Sequence, residues 1–156
     1  MILTIENDCV PFTAQIPTGI CVGECFHIFG RVNLANLPDS EKTFAIELLS
    51  YPNVVFHIRF RFHDLDENYV AINACDFSGF DQSTEKRVNY ILLSEHFHLE
   101  IHVKESFYTV LVNGDEIVTY NHVFPYQSIK AIGVYGAVNI NTIELDDIRQ
   151  HVTIEG

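Results

Sequence analysis

Tryptophan is absent from the 156-residue chain, so no ligand can stack on an indole here. Basic residues are scarce: nine lysines and arginines face 21 aspartates and glutamates, for a formal charge of −12. That field repels phosphate backbones and anionic headgroups, which argues against nucleic-acid and membrane-surface partners and favours neutral ligands. No apolar run approaches the roughly 18 residues of a membrane-spanning helix, so no membrane insertion is expected. The opening stretch MILTIENDCVPF has no basic segment followed by a long apolar one, and a cytosolic start is the expectation. Cys9, Cys21, Cys25 and Cys75 include one C-x3-C pair with no second pair to match it. Free thiols are therefore expected, not a disulfide frame or a zinc knuckle. Long helical periodicity is missing too, as are repeats, charge blocks and low-complexity linkers.

What is present is alternation. With 47% hydrophobic residues the chain can bury a sizeable core, and residues 1–156 are read as one domain. Period-two patterning predicts an all-β chain with strands at Glu24–Val32, Phe44–Leu49, Val54–Phe62, Tyr69–Cys75, Arg87–Ile91, Phe97–Val103, Ser106–Val112, Asp115–Asn121, Ile129–Tyr135 and Asn139–Asp146. Asn113-Gly114 tolerates positive φ and marks a tight hairpin. Short connections such as PTG, NLPDS and HDLDEN fit antiparallel strands folded into two packed sheets.

The stretch VVFHIRFRFHD, residues 54–64, carries the most chemistry. Alternation sends Phe56, Ile58, Phe60 and Phe62 inward and His57, Arg59 and Arg61 outward. On the next strand Val70, Ile72 and Ala74 face the core, which leaves Tyr69, Ala71 and Asn73 outside; beyond the loop Glu85 alternates with Arg87. If the three segments are sheet neighbours, His57, Arg61, Asn73, Glu85 and Arg87 share one solvent-facing patch. Such a patch suits a carbohydrate, whose hydroxyls both donate and accept. An Arg-Glu-Arg chain, with Glu85 bridging Arg61 and Arg87, would hold the readers in place. A solvated strand face with internally paired charges explains the same pattern.

Here the chain resembles the galectin family, across roughly residues 10–146. Galectins read His-x-Asn-Pro-Arg on one strand, Val-x-Asn on the next, then Trp-x-x-Glu-x-Arg. HIRFR at 57–61, AIN at 71–73 and QSTEKR at 82–87 match at His57, Arg61, Asn73, Glu85 and Arg87, and FYTVLVNGDEIVTYNHVF is similar to the family's downstream strand-turn-strand. Three positions depart. Arg59 stands for Asn, Phe60 for Pro, and Gln82 for the tryptophan that stacks on galactose. Losing that ring removes a large share of a weak site's affinity, unless Phe77 or Phe80 supplies another. Arg59 either blocks the galactose position or reaches for an acidic sugar or a sulfate.

The resemblance implies a two-sheet antiparallel β-sandwich, a jelly roll of the galectin-like, concanavalin A-like kind. It implies a lectin that recognises glycans or glycoproteins, β-galactosides or related sugars, without catalysis or cofactor and with altered specificity. Its site would comprise His57, Arg59, Arg61, Asn73, Gln82, Glu85 and Arg87. The rival expectation is an interaction module that has dropped sugar binding, as a homodimer joined by sheet edges. Family habit adds a cytosolic location with export by non-classical secretion.

Two further groupings bring titratable side chains together. His96, His98, Glu100 and His102 share one strand face, and an H-x-H pair can chelate a metal, but an exposed polar face of the second sheet accounts for them and no metal is expected. His27 and His122 read as isolated. Glu85 with Asp81 or Asp76 imitates a glycosidase carboxylate pair, but neighbouring Arg87 and Lys86 would depress their pKa values and make poor general acids, so hydrolysis is not expected.

Overall fold

Alternating apolar residues can be buried only if two sheets face each other, and that is the arrangement in the computed structural model, which describes residues 3–6 and 9–147. Among the described residues thirteen strands run in chain order: β1 Leu3–Glu6, β2 Phe12–Gln15, β3 Glu24–Val32, β4 Thr43–Ser50, β5 Asn53–Arg61, β6 Tyr69–Asp76, β7 Gly79–Phe80, β8 Lys86–Asn89, β9 His96–Val103, β10 Phe107–Val112, β11 Asp115–Asn121, β12 Ala131–Gly136 and β13 Val138–Asp147. One sheet has the order β1-β13-β3-β9-β10-β11; the other runs β2-β12-β4-β5-β6-β7, with β8 also pairing β6. Every pairing is antiparallel. The ten expected strands are present, most with ends shifted by one or two residues, while β1, β2 and β7 are too short to show a period. Asn113 and Gly114 take positive φ, 51° and 88°, in the hairpin their types demanded. Among the described residues no helix is long and apolar enough to cross a membrane.

The core lies between the sheets. Phe44 on β4 stacks on Phe97 of β9 with centroids 5.3 Å apart, and Phe56 on β5 meets Tyr108 of β10 at 4.6 Å. Phe44, Phe56, Ile58 and Ile72 are fully buried from one side and Ile28, Leu99 and Ile101 from the other. Each such side chain contributes about 1.5–3 kcal/mol by leaving water. With the inner faces committed to this core, polar residues on the same strands must look outward, and β5, β6 and β8 therefore present their chemistry on one outer face.

All four cysteines are unpaired, as expected: Cys9 and Cys21 are exposed, Cys75 is half-buried and Cys25 is buried. Burial, reinforced by the Glu100 and Asp146 carboxylates, pushes the Cys25 thiol up to about 12. At pH 8 a thiol reagent is thus expected to label Cys9 and Cys21 within minutes and Cys25 only in denaturant. Labelling followed by peptide mass spectrometry checks this, and prompt reaction at Cys25 would contradict it.

Candidate functional site

Register sets out the outer face of β4, β5, β6 and β8 in rows. Glu47, His57 and Asn73 lie side by side; Ala45, Arg59, Ala71 and Arg87 form the next row; Thr43, Arg61, Tyr69 and Asn89 the third. A cavity of about 310 Å³ opens on these rows, lined by His57, Arg59, Tyr69, Ala71, Asn73, Phe80, Gln82, Glu85 and Arg87. Six of the seven residues singled out from the sequence are in that lining. Arg61 is not.

His57, Asn73, Arg59, Glu85 and Arg87 are each held by a neighbour. The His57 ring donates from Nδ1 to the Glu47 carboxylate at 2.8 Å, which leaves Nε2 as its remaining polar atom. Asn73 accepts at Oδ1 from its neighbour's amide, Ala74, at 2.7 Å and from Thr84 Oγ1 at 2.6 Å, and its Nδ2 donates to the Asp81 carbonyl at 3.1 Å. The β7–β8 loop is thereby tied to the floor of the cavity. Asp81 caps the short 3-10 turn Gln82–Thr84 by accepting from the Ser83 amide, the main cause that holds its carboxyl below the ordinary range. Tyr120 on β11 donates to the Thr84 carbonyl at 2.8 Å and Lys86 Nζ to the Thr119 carbonyl at 2.7 Å, so the loop is also braced by the opposite sheet.

The two guanidinium groups leave the floor between them open. Arg59 and Arg87 flank Ala71 in one row, across two strand spacings, so their backbones stand about 10 Å apart with only a methyl group between. Arg87 donates from Nε and Nη2 to Glu85 Oε1 at 3.1 and 3.0 Å and lies over the Tyr69 ring at 4.0 Å. Arg59 turns the other way, donating to Thr43 Oγ1 at 3.1 Å and to the Tyr135 hydroxyl at 3.3 Å. Both acceptors are neutral, so its charge is oriented without being paired by them.

Three expectations are corrected. Glu85 does not bridge Arg61 and Arg87: Arg61 donates to the Lys42 and Phe62 carbonyls at 2.9 and 2.6 Å and to Asp39 at 3.1 Å, clamping the β3–β4 connection instead. Tyr69, directly opposite Arg61, carries Arg87 on its ring and fills the space a bridge would need. The patch is not uniformly solvent-facing, since His57 is 5% and Asn73 6% exposed under Phe80 and the loop. Finally, the carboxylates at Asp76 and Asp81 are held low by hydrogen bonds from Ser78 and Ser83 respectively, not by Arg87 or Lys86.

Of the two candidate rings, Phe80 lines the cavity, 4.9 Å from the His57 ring and 51% exposed, whereas Phe77 is 86% exposed and takes no part in the lining. Tyr69, Ala71 and Phe80 line the cavity in addition to the six expected residues. Tyr69 was visible as an outward residue of its strand, but its partnership with Arg87 depends on a pairing register; Phe80 sits on a two-residue strand that carries no period.

Comparison with known proteins converges on one family. Residues 11–145 match the family model described as galactoside-binding lectin. The chain is 36% identical over 141 residues to the probable galaptin lec-8 of Caenorhabditis elegans, covering 90% of this chain and 74% of that protein. It is 32% identical over 139 residues to the probable galaptin lec-7 of the same worm, covering 89% and 74%. Among solved structures, the fold resembles Caenorhabditis elegans galectin LEC-6 with a TM-score of 0.78 at 20% identity, over 92% of this chain and 95% of that one.

Proposed function

Because this chain belongs to the galectin family of galactoside-binding lectins, a non-catalytic family, we propose that the cavity on β5, β6 and β8 is its sugar site and that its specificity differs from the family pattern. The observation that carries this reading is Phe80: it stands over His57 at the mouth of a cavity also lined by the polar groups of His57, Asn73, Glu85 and Arg87. A pyranose has an apolar C–H face and a rim of hydroxyls, and it needs both surfaces at once. In this reading Phe80 meets the C–H face, His57 Nε2 and the second Asn73 Nδ2 proton read hydroxyls, and Glu85 and Arg87, fixed by each other and by Tyr69, read the adjacent pair. Gln82 offers an amide where the family has its ring. Arg59, drawn toward Tyr135 and hydrogen-bonded to two neutral hydroxyls, supports galactosides bearing an anionic group on the β4 side. Four unpaired thiols support a reducing, cytosolic location, and we extend the family's non-classical secretion to this chain as part of the proposal.

A glycan array containing neutral, sulfated and sialylated galactosides tests the proposal. Binding is expected on at least one class and is expected to vanish in Arg87→Ala and Glu85→Ala. Arg61→Ala is expected to keep its affinity within about threefold while lowering Tm by a few degrees, since it loses a loop clamp rather than a ligand contact. A silent array with folded wild-type protein would favour an interaction module. Loss of binding in a folded Arg61→Ala variant would return that residue to the site.

A further inference from the structure

The outer face of the other sheet holds a second constellation, on its two central strands. β3 and β9 pair so that His27 stands directly opposite Glu100, Cys25 opposite His102 and Phe29 opposite His98. Within β9, His98, Glu100 and His102 recur every second residue and so project from one face. His27, read from the sequence as isolated, is the residue that closes the group. Its Nδ1 lies 2.8 Å from His98 Nε2 and 3.9 Å from Glu100 Oε1, while His102 Nε2 lies 3.1 Å from the same carboxylate oxygen.

From this geometry we infer a binding site for one divalent transition-metal ion, zinc above all, with His27 Nδ1, His98 Nε2 and the Glu100 carboxylate as ligands. Tetrahedral zinc with bonds of 2.0–2.2 Å sets its ligand atoms about 3.4 Å apart. The His27–His98 and His27–Glu100 separations, 2.8 and 3.9 Å, fall on either side of that edge, and the three donor atoms all lie within 4.8 Å of one another. Shifts of about 0.5 Å bring both of these to that edge, and the His98–Glu100 separation closes on it from no more than 4.8 Å. Two imidazoles and one carboxylate suit zinc, cobalt, nickel or copper and not calcium or magnesium, which prefer all-oxygen sets. His102 donates to the carboxylate and orients it, the part a hydrogen-bonded outer neighbour plays at metal centres. The Phe29 ring stacks on His98 at 4.2 Å and limits its rotation. Glu144, opposite His27 on β13, and the net charge of −12 both favour arrival of a cation.

Cys25, Glu100 and His102 form a second trio with donor atoms within 4.8 Å, sharing Glu100 with the first. Cys25 is buried and its Sγ already donates to the Phe26 carbonyl at 3.6 Å, so the His27 trio is the one open to an incoming ion. Both trios lie on the sheet opposite to the cavity, and a metal here is independent of the sugar site.

The test is calorimetric titration of zinc into tag-free protein, paired with the visible spectrum of the cobalt-substituted form. One ion per chain is expected, with the intense bands of tetrahedral cobalt. His27→Ala and His98→Ala, each with unchanged circular dichroism, are expected to abolish both signals; His102→Ala to weaken binding about tenfold; Cys25→Ser to leave it within threefold. Failure of the wild type to bind zinc at millimolar concentration would overturn the inference. So would binding that survives a folded His27→Gln/His98→Gln double variant, or binding lost in Cys25→Ser, which would move the ion to the other trio.

Discussion

Phe80→Ala is expected to weaken binding of the preferred galactoside by about 10- to 30-fold without lowering Tm by more than a degree or two. The ring is half exposed, stands on the two-residue β7, and packs on His57 rather than in the core, so its removal costs little folding energy. What it loses is the apolar contact with the sugar. Aromatic anchors of this kind are worth about 2 kcal/mol when they lie at the centre of a small interface, and every 1.4 kcal/mol is a factor of ten. Phe77→Ala supplies the control: it lies three residues away, is almost fully exposed and is absent from the cavity wall, so its affinity is expected to match wild type. Phe80→Trp, which enlarges the platform, is expected to bind at least as tightly as wild type. Calorimetric titration of all three decides the matter; equal losses at Phe77 and Phe80, or none at Phe80, would remove the ring from the proposed site.

Gly136→Ala is expected to be the most damaging single-methyl change, destabilising the fold by about 3 kcal/mol and lowering Tm by roughly 10 °C. Gly136 ends β12 with φ at 103°, a backbone conformation that side chains rarely adopt. An added Cβ would also meet the Thr43 carbonyl oxygen and, at 2.7 Å, the Phe44 Cα, both backbone atoms of the neighbouring β4. Neither can step aside without breaking the β12–β4 ladder, whose last pair is Gly136 with Phe44. Gly79 isolates the two causes. Its φ is 104°, nearly the same, but nothing lies within 4 Å of the added carbon, so Gly79→Ala is expected to cost only about 1 kcal/mol. Urea unfolding of the two variants measures the difference, and equal costs would show that the backbone conformation alone matters.

The chemistry of this molecule is divided between its two outer faces because its inner faces are occupied. One carries a sugar-sized cavity built on β5, β6 and β8, the other a histidine-rich trio on β3 and β9. Neither makes use of the core residues, and the two can be altered separately.

What the amino-acid order alone determined was the set of strands and the face each residue occupies. Period two is a local property of the chain: once Phe56, Ile58 and Phe60 must be buried, His57, Arg59 and Arg61 have to point outward, whatever the partners are. The membership of the cavity was therefore largely readable, six residues of seven. Tertiary structure decided everything that depends on register and on loops. Arg61 lies on the expected face but is captured by Asp39 and two carbonyls, because Tyr69 occupies the row beside it. Phe80, on a strand too short to have a period, was selected over Phe77 only by the path of the β6–β7 hairpin. His27 and Glu100 are 73 positions apart and meet because β3 pairs with β9, a contact no local pattern encodes. A side chain's direction follows from its own strand, whereas its partners follow from which strand lies alongside and at what offset, and that choice is made by the packing of the whole sandwich.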